Sequence, residues 1–226
     1  PADIVFTGVG KRRDELERAV ALDLLAINVE SPGELERLAR IAADRGAVAR
    51  VALRVNPDID ARSHPHISTG LRSNKFGVPI DAAPALFHDV AARPSLKAVG
   101  IHVHIGSQIT ALEPLERAAE AVVQLARELR AAGIGIEHLD FGGGLGIAYE
   151  GGPAPDPADY VRRIVTAARS SGLKLAIEPG RVLVGAAGVL LTRVLYRKHS
   201  GGKEFVIVDA GMNDLERPSR YQAYHA

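Results

Sequence analysis

Cysteine is absent from the 226 residues, which excludes a disulfide framework and thiolate metal sites. An excess of either charge is missing too: 28 Lys and Arg stand against 27 Asp and Glu, so no bulk electrostatic term favours nucleic acid or an anionic membrane surface. No apolar run approaches the roughly 20 residues that span a bilayer. Nothing at the N-terminus reads as a signal peptide, and internal repeats and low-complexity tracts are missing. A cytoplasmic globular chain is the expectation, with a small molecule or a second subunit as its partner and no nucleic acid or membrane. What is present is apolar content, 46% of the residues, ample for a buried core.

Six short runs rich in β-branched and aliphatic residues read as strands, at 3–9, 24–30, 50–56, 98–106, 136–141 and 173–179. Helical spacing of apolar residues fills gaps between them, as in 115–133 and 157–172. At "SPGE" (31–34) Ser31 suits an N-cap, Pro32 the first turn, and Glu34 the far side of a capping box. Near-continuously apolar strands joined by helices predict a parallel sheet covered on its faces. After residue 181 the alternation stops, and 188–199 and 203–211 read as two strands separated by a Ser-Gly-Gly turn. Residues 57–79 lack periodicity and are long for a connection. A closed (β/α) barrel needs eight strand-helix units in roughly 250 residues, so two are expected to be missing. An open six-stranded sheet is the alternative, and an incomplete barrel would expose edges and apolar surface.

Ligands of parallel α/β folds bind at the carboxyl ends of the strands. Those ends are polar here, with Arg54, Asn56, His102, His104, Ser107, Gln108, Asp140, Gly142, Gly143, Gly144, Glu178 and Arg181 as candidates. The run "DFGGGLG" (140–146) is either a tight turn or an anion cradle built from backbone N–H groups. It lacks the lysine and the spacing of a P-loop and the strict dinucleotide spacing, which disfavours a nucleotide. His102 and His104 share one strand face. They read as a metal pair, which too few further ligands support, or as one packed core ring and one that stacks on something flat. In "EPGR" (178–181), Glu178 and Arg181 form either a local surface ion pair or an acid at one end of a ligand and a guanidinium on a phosphate or carboxylate. His64 and His66 are loop histidines, solvated unless a partner engages them.

Taken together, "RVNPDID", "HPHISTGLRSNKFG", "GIHVHIGSQI", "LDFGGGLGI", "AIEPGR" and "FVIVDAGMNDLERPSRYQAYH" resemble the diaminopimelate decarboxylases. The likeness runs from about residue 3 to the last residue. It implies dependence on pyridoxal 5'-phosphate and a (β/α)8 TIM barrel of the pyridoxal-phosphate-binding type. Residues 1–186 would be that barrel without its N-terminal units, and 187–226 the start of a β-rich C-terminal domain. It implies that His104 stacks on the pyridine ring and that Ser107 and the backbone of Gly142, Gly143 and Gly144 hold the phosphate. Glu178 would pair with the pyridine nitrogen, with Gly180, Arg181 and Arg54 also at the cofactor. Arg181, Arg217 and Tyr221 would bind the amino-acid substrate, Lys75 would line the site, and no metal is called for. A homodimer that converts meso-diaminopimelate to L-lysine and CO2 is the implied function.

The same family forms its Schiff base through a lysine in a "Y-A-x-K-A" motif, and none of the six lysines (11, 75, 97, 174, 198, 203) matches it. Lys11 in "GVGK" aligns with a different family segment. The family's second-domain cysteine proton donor is also absent. Two readings stay open: a segment of a longer decarboxylase, or a relative that binds pyridoxal phosphate or phosphate without catalysis, in a regulatory role. Another amino-acid decarboxylase of the same fold is a variant of the first.

Overall fold

The computed structural model describes residues 1–61, 74–149 and 151–225; the loop histidines 64 and 66 lie outside them. The chain alternates strand and helix through β1 (Val5–Phe6), α1 (Arg13–Ala21), β2 (Ala26–Val29), α2 (Pro32–Asp44), β3 (Ala49–Asn56), β4 (Val78–Pro79), α3 (Ala83–Ala91), β5 (Leu96–Val103), α4 (Glu113–Ala131), β6 (His138–Asp140), α5 (Pro157–Ala168) and β7 (Lys174–Ala176). There follow a one-turn helix α6 (Arg181–Val184), an antiparallel hairpin of β8 (Val194–Ser200) and β9 (Lys203–Val208), and α7 (Glu216–Tyr221). The six expected strands pair in sequence order, β1-β2-β3-β5-β6-β7, all parallel, with β4 beside β3. A helix follows each of the first five before the next, so this is a curled half of a (β/α) barrel.

Helix α2 shows how the sequence builds one unit. Ser31 accepts a hydrogen bond from the Glu34 N–H at 3.2 Å and Pro32 opens the first turn. Leu35, Leu38, Ala39, Ile41 and Ala42 recur at three- and four-residue spacing and are buried. The capping box is displaced by one residue: the Glu34 carboxylate accepts from the Glu30 N–H rather than from that of Ser31, because it is also drawn to Lys11. The pattern expected over 115–133 is α4, whose Leu115, Ala118, Val122, Ala126 and Leu129 face inward. Each large apolar side chain so buried contributes about 1.5–3 kcal/mol.

The strands differ from the near-continuous apolar reading in one respect that places the site. Leu53, Val55, Ile101, Val103 and Leu139 pack with the helices in one large core. Their alternate neighbours on the concave face are Arg54, His102 and Asp140, abreast in the register and all buried. Asn28, Glu30, Asn56 and His138 belong to the same set of buried polar residues. Period-two alternation puts these polar residues toward the strand ends, while Ala26 and Ala52, on the same strand faces, pack with Val99 in a small apolar cluster. The two ends of the sheet, β1 and β7, are edges, and large apolar residues lie exposed beyond β7, among them Leu183, Val184, Val189 and Leu191. Glycines serve the inner face where side chains press on the backbone: a Cβ on Gly100 would sit 2.4 Å from the His138 ring.

Candidate functional site

Two buried ion pairs line the mouth of the sheet at β1, β2 and β3. Glu30, 3% exposed, meets the Arg54 Nη1 at 3.1 Å, and its second oxygen accepts from the Gly77 N–H at 3.1 Å. Arg54, itself 7% exposed, lies with its guanidinium 4.7 Å from the Phe76 ring centre. One step outward, the Lys11 Nζ donates to the Gly8 carbonyl at 2.8 Å, the Asn28 carbonyl at 2.5 Å and the Glu34 Oε1 at 2.7 Å. Burial pushes the Glu34 carboxyl above its ordinary range against the pull of Lys11. Three acceptors fill the three donors of an ammonium, so Lys11 is a structural cation.

At β5, β6 and β7 a second cluster forms. The ligand atoms of His102, Asp140 and Glu178 all lie within 4.8 Å of one another. His102 Nε2 sits 3.4 Å from Glu178 Oε2. Facing a carboxylate, that nitrogen carries the proton. Its hydrogen bond holds the Glu178 carboxyl below the ordinary range, whereas burial raises that of Asp140. Of the two acids, Glu178 is therefore the standing anion. Asp140 also accepts from the Gly142 N–H at 2.9 Å, which anchors the glycine run to the acid pair.

His104 follows β5 directly. Its Nδ1 accepts from the Gly143 N–H at 3.1 Å, so the ring is neutral with its proton on Nε2. Burial, then the charges of Arg54 and His102, lowers its pKa from 6.5 to about 4. Because the folded value lies below the unfolded one, the unfolded chain takes up a proton that the folded chain refuses between those pH values. Stability from this ring is intact above about pH 6.5 and is lost progressively down to about pH 4. Urea unfolding at pH 7.5 and pH 5 is expected to show a smaller acid loss in His104→Phe than in the unsubstituted protein; equal losses would refute the assignment.

The third cluster joins Ser107, Arg181 and Tyr149. Arg181 Nη2 donates to Ser107 Oγ at 3.1 Å and Nη1 to the Tyr149 hydroxyl at 2.5 Å, while its Nε is buried without a partner among the described residues. Gly180 is the residue before Arg181 and starts the turn of α6. Arg217 in α7 stacks on Tyr149, its guanidinium carbon 3.7 Å from the ring centre. Gln108 pins the following loop through its amide to the Ile147 backbone, at 2.6 and 3.3 Å.

Most of the sequence candidates therefore converge. Glu178 and Arg181 diverge, one to His102 and Asp140 and the other to Ser107 and Tyr149, rather than pairing with each other as a local surface ion pair. His102 is the packed core ring, 1% exposed, and His104 the half-buried one. The glycine run is less free than its sequence suggests, since Gly142 and Gly143 already spend their N–H groups on Asp140 and His104. Tyr221 ends α7 with the Arg220 guanidinium 5.7 Å from its ring centre. Lys75 is exposed beside Phe76, 5.1 Å from that ring. Sequence reasoning missed Glu30 and Tyr149, and gave Glu34 a capping role without its pairing to Lys11. Glu30 left a signal, an acid at the end of β2 opposite the arginine at the end of β3; Tyr149, in a loop, left none.

A curled parallel β/α sheet with a fixed carboxylate, a neutral histidine and a Ser-Arg pair at its strand ends defines an α/β-barrel protein that holds a small anionic ligand at the carboxyl mouth. The chain belongs to the pyridoxal-dependent decarboxylases: the family's pyridoxal binding domain matches residues 1–185. It is 52% identical over 224 residues to the diaminopimelate decarboxylase of Pseudomonas aeruginosa, covering 99% of this chain and 54% of that protein. It is 48% identical over 224 residues to that of Neisseria meningitidis serogroup B, again covering 99% and 54%. The diaminopimelate decarboxylase of Helicobacter pylori, solved in complex with L-lysine, superposes with a TM-score of 0.97 at 46% identity, over 100% of this chain and 57% of that one. The chain spans about half the length of the curated relatives it matches.

Proposed function

We propose that this chain is the cofactor-holding half of a diaminopimelate decarboxylase, which releases CO2 from meso-2,6-diaminopimelate and leaves L-lysine. The observation that carries the reading is Glu178, an anion fixed by His102 and set apart from the cationic Ser107-Arg181 pair. A carboxylate at one end and a hydroxyl with a guanidinium at the other suit a pyridine nitrogen and a phosphate. The unpartnered Arg181 Nε adds a donor there. The residues fit the ring and phosphate of pyridoxal 5'-phosphate. When bound, that cofactor supplies an electron sink for the pair left by CO2 loss.

Glu178 keeps a proton on the pyridine nitrogen, which that sink requires, and His102 orients the acid. His104 presents a neutral ring, held by Gly143, for stacking on the cofactor face. Ser107 and Arg181 take the phosphate, with Gly144 and Gly180 closing the turn and Arg54 at the rim. Arg181, Arg217 and Tyr221 receive the substrate, arginine being suited to a carboxylate through paired N–H donors. The complex of the Helicobacter pylori protein with L-lysine supports a diamino acid as ligand. We further read the protein as a cytoplasmic homodimer, with 1–186 in the barrel and 187–226 opening the β domain.

A second reading, a relative that holds pyridoxal phosphate without catalysis, draws on the engagement of Lys11. The test uses the protein expressed from its complete reading frame. CO2 release from meso-diaminopimelate supports the decarboxylase; cofactor binding with no release supports the second reading. Borohydride treatment with pyridoxal phosphate, followed by peptide mapping, is expected to place no adduct on Lys11, Lys75, Lys97, Lys174, Lys198 or Lys203. An adduct on any of them overturns the structural role given to Lys11 or shows an unrecognised tether.

A further inference from the structure

Tyr149 has no part in the roles assigned above, yet both arginines of the substrate end meet on it. The Arg181 Nη1 donates to its hydroxyl, and the Arg217 guanidinium lies flat on its ring, 3.7 Å from the centre. The Arg181 guanidinium carbon is 5.8 Å from the same centre, so one cation sits at the edge and the other on the face. Arg217 is held from a second side, its Nε donating to the Tyr224 carbonyl at 3.1 Å, and the His225 ring lies 5.4 Å from that of Tyr149.

Two guanidinium groups this close repel one another, and each would swing toward water if nothing held it. A phenol answers both needs at once. Its oxygen accepts a charge-assisted hydrogen bond in the ring plane, and its negative π-face attracts the second cation. Because Arg181 also reaches Ser107, the run Ser107, Arg181, Tyr149, Arg217 forms one connected strut from the phosphate end to the substrate end.

We propose that Tyr149 is a positioning residue that fixes the spacing of Arg181 and Arg217 so that the pair reads the carboxylates of a dicarboxylic amino acid. The proposal rests on the decarboxylase reading for its substrate but not for the strut itself. Loss of the strut lets the arginines move independently. Substrate binding should weaken, while the cofactor's acid partner, Glu178, is untouched.

The experiment compares Tyr149→Phe and Tyr149→Leu in the protein expressed from its complete reading frame with pyridoxal phosphate bound. Arginine-selective labelling by phenylglyoxal, mapped by mass spectrometry, is read alongside turnover of meso-diaminopimelate. In Tyr149→Phe, labelling of Arg181 should rise several-fold with Arg217 unchanged, since the ring stays. In Tyr149→Leu both should rise, and KM should increase about tenfold with kcat within about threefold, the scale of one charge-assisted hydrogen bond. Unchanged labelling of both arginines, or a fall in kcat at constant KM, overturns the proposal. If the unsubstituted protein turns over no diaminopimelate, the decarboxylase reading falls, and the labelling pattern still decides for or against the strut. If the leucine variant fails to fold, the selective exposure of Arg181 in the phenylalanine variant decides.

Discussion

Replacing Glu30 with alanine is expected to lower the unfolding free energy by about 3–5 kcal/mol, the range for breaking a buried ion pair from one side. The acid is buried and serves two donors, the Arg54 guanidinium and the Gly77 N–H, each at 3.1 Å. Removing it leaves a cation inside the sheet and an amide without an acceptor. Glu30→Gln should cost less, because the shape and one acceptor survive. The paired change Glu30→Met with Arg54→Leu should recover most of the loss, since two apolar groups replace two compensated charges. Urea unfolding of the three variants checks the ranking. A loss below about 1 kcal/mol for Glu30→Ala, the scale of an exposed pair, would remove the pair from the list of stabilising contacts.

Gly143→Ala is the second large effect. A Cβ there would lie 2.2 Å from the Glu178 carbonyl oxygen, which is backbone and has no rotamer to retreat into. The loop and β7 are also zipped together, with Glu178 N donating to the Gly142 carbonyl at 2.7 Å and Phe141 N to that of Ala176 at 3.0 Å. The added methyl must therefore push the end of β7, and with it the carboxylate that faces His102. Overpacking of this kind costs about 1–3 kcal/mol. The larger consequence is functional: affinity for pyridoxal phosphate should fall at least tenfold, about 1.4 kcal/mol, as followed by cofactor absorbance. Gly33→Ala is the control, because nothing lies within 4 Å of a Cβ there and α2 gains a better helix former. Equal cofactor affinity in the two variants would argue against a fixed Glu178.

The strands and long helices could be read from the chain because local pattern and tertiary demand agree there. The spacing over 115–133 became α4 at 113–131 for that reason. β4 escaped notice because two residues ending in proline carry no period, and it exists only by pairing with the end of β3. Helix α1 is rich in charge and buries only Leu16, Ala19 and Val20, too sparse a signal beside its polar face. At the site, "GGGLG" and "EPGR" stood out because their backbone demands are visible in composition. Which N–H groups the glycines keep, and which acid holds the charge, depend on Asp140, His104 and His102 arriving from other strands. No single stretch contains that information. The capping-box reading of Glu34 failed similarly: Lys11, 23 positions upstream, competes for the same carboxylate.

One register irregularity interrupts the sheet. Between Val51 and Ala52 the pairing of β3 with β5 skips Val99, so that Ala98 faces Val51 while Gly100 faces Ala52. Strand β5 thus keeps two phases, one below the skip and one above it, like a vernier set one notch off. Lys97 and Gly100, three apart, both stand opposite the even-numbered residues of β3, and the upper phase brings His102 level with Arg54. Deleting Val99 would remove the notch without removing any side chain that touches a ligand. The pairs on either side of the skip, Val51 with Ala98 and Ala52 with Gly100, then become neighbours on both strands, so His102 stays level with Arg54 and Lys97 keeps Glu137, its partner at 2.6 Å. Val99 is therefore a packing insertion, buried with Ala26 and Ala52, and the mouth and the base hold their register on either side of it.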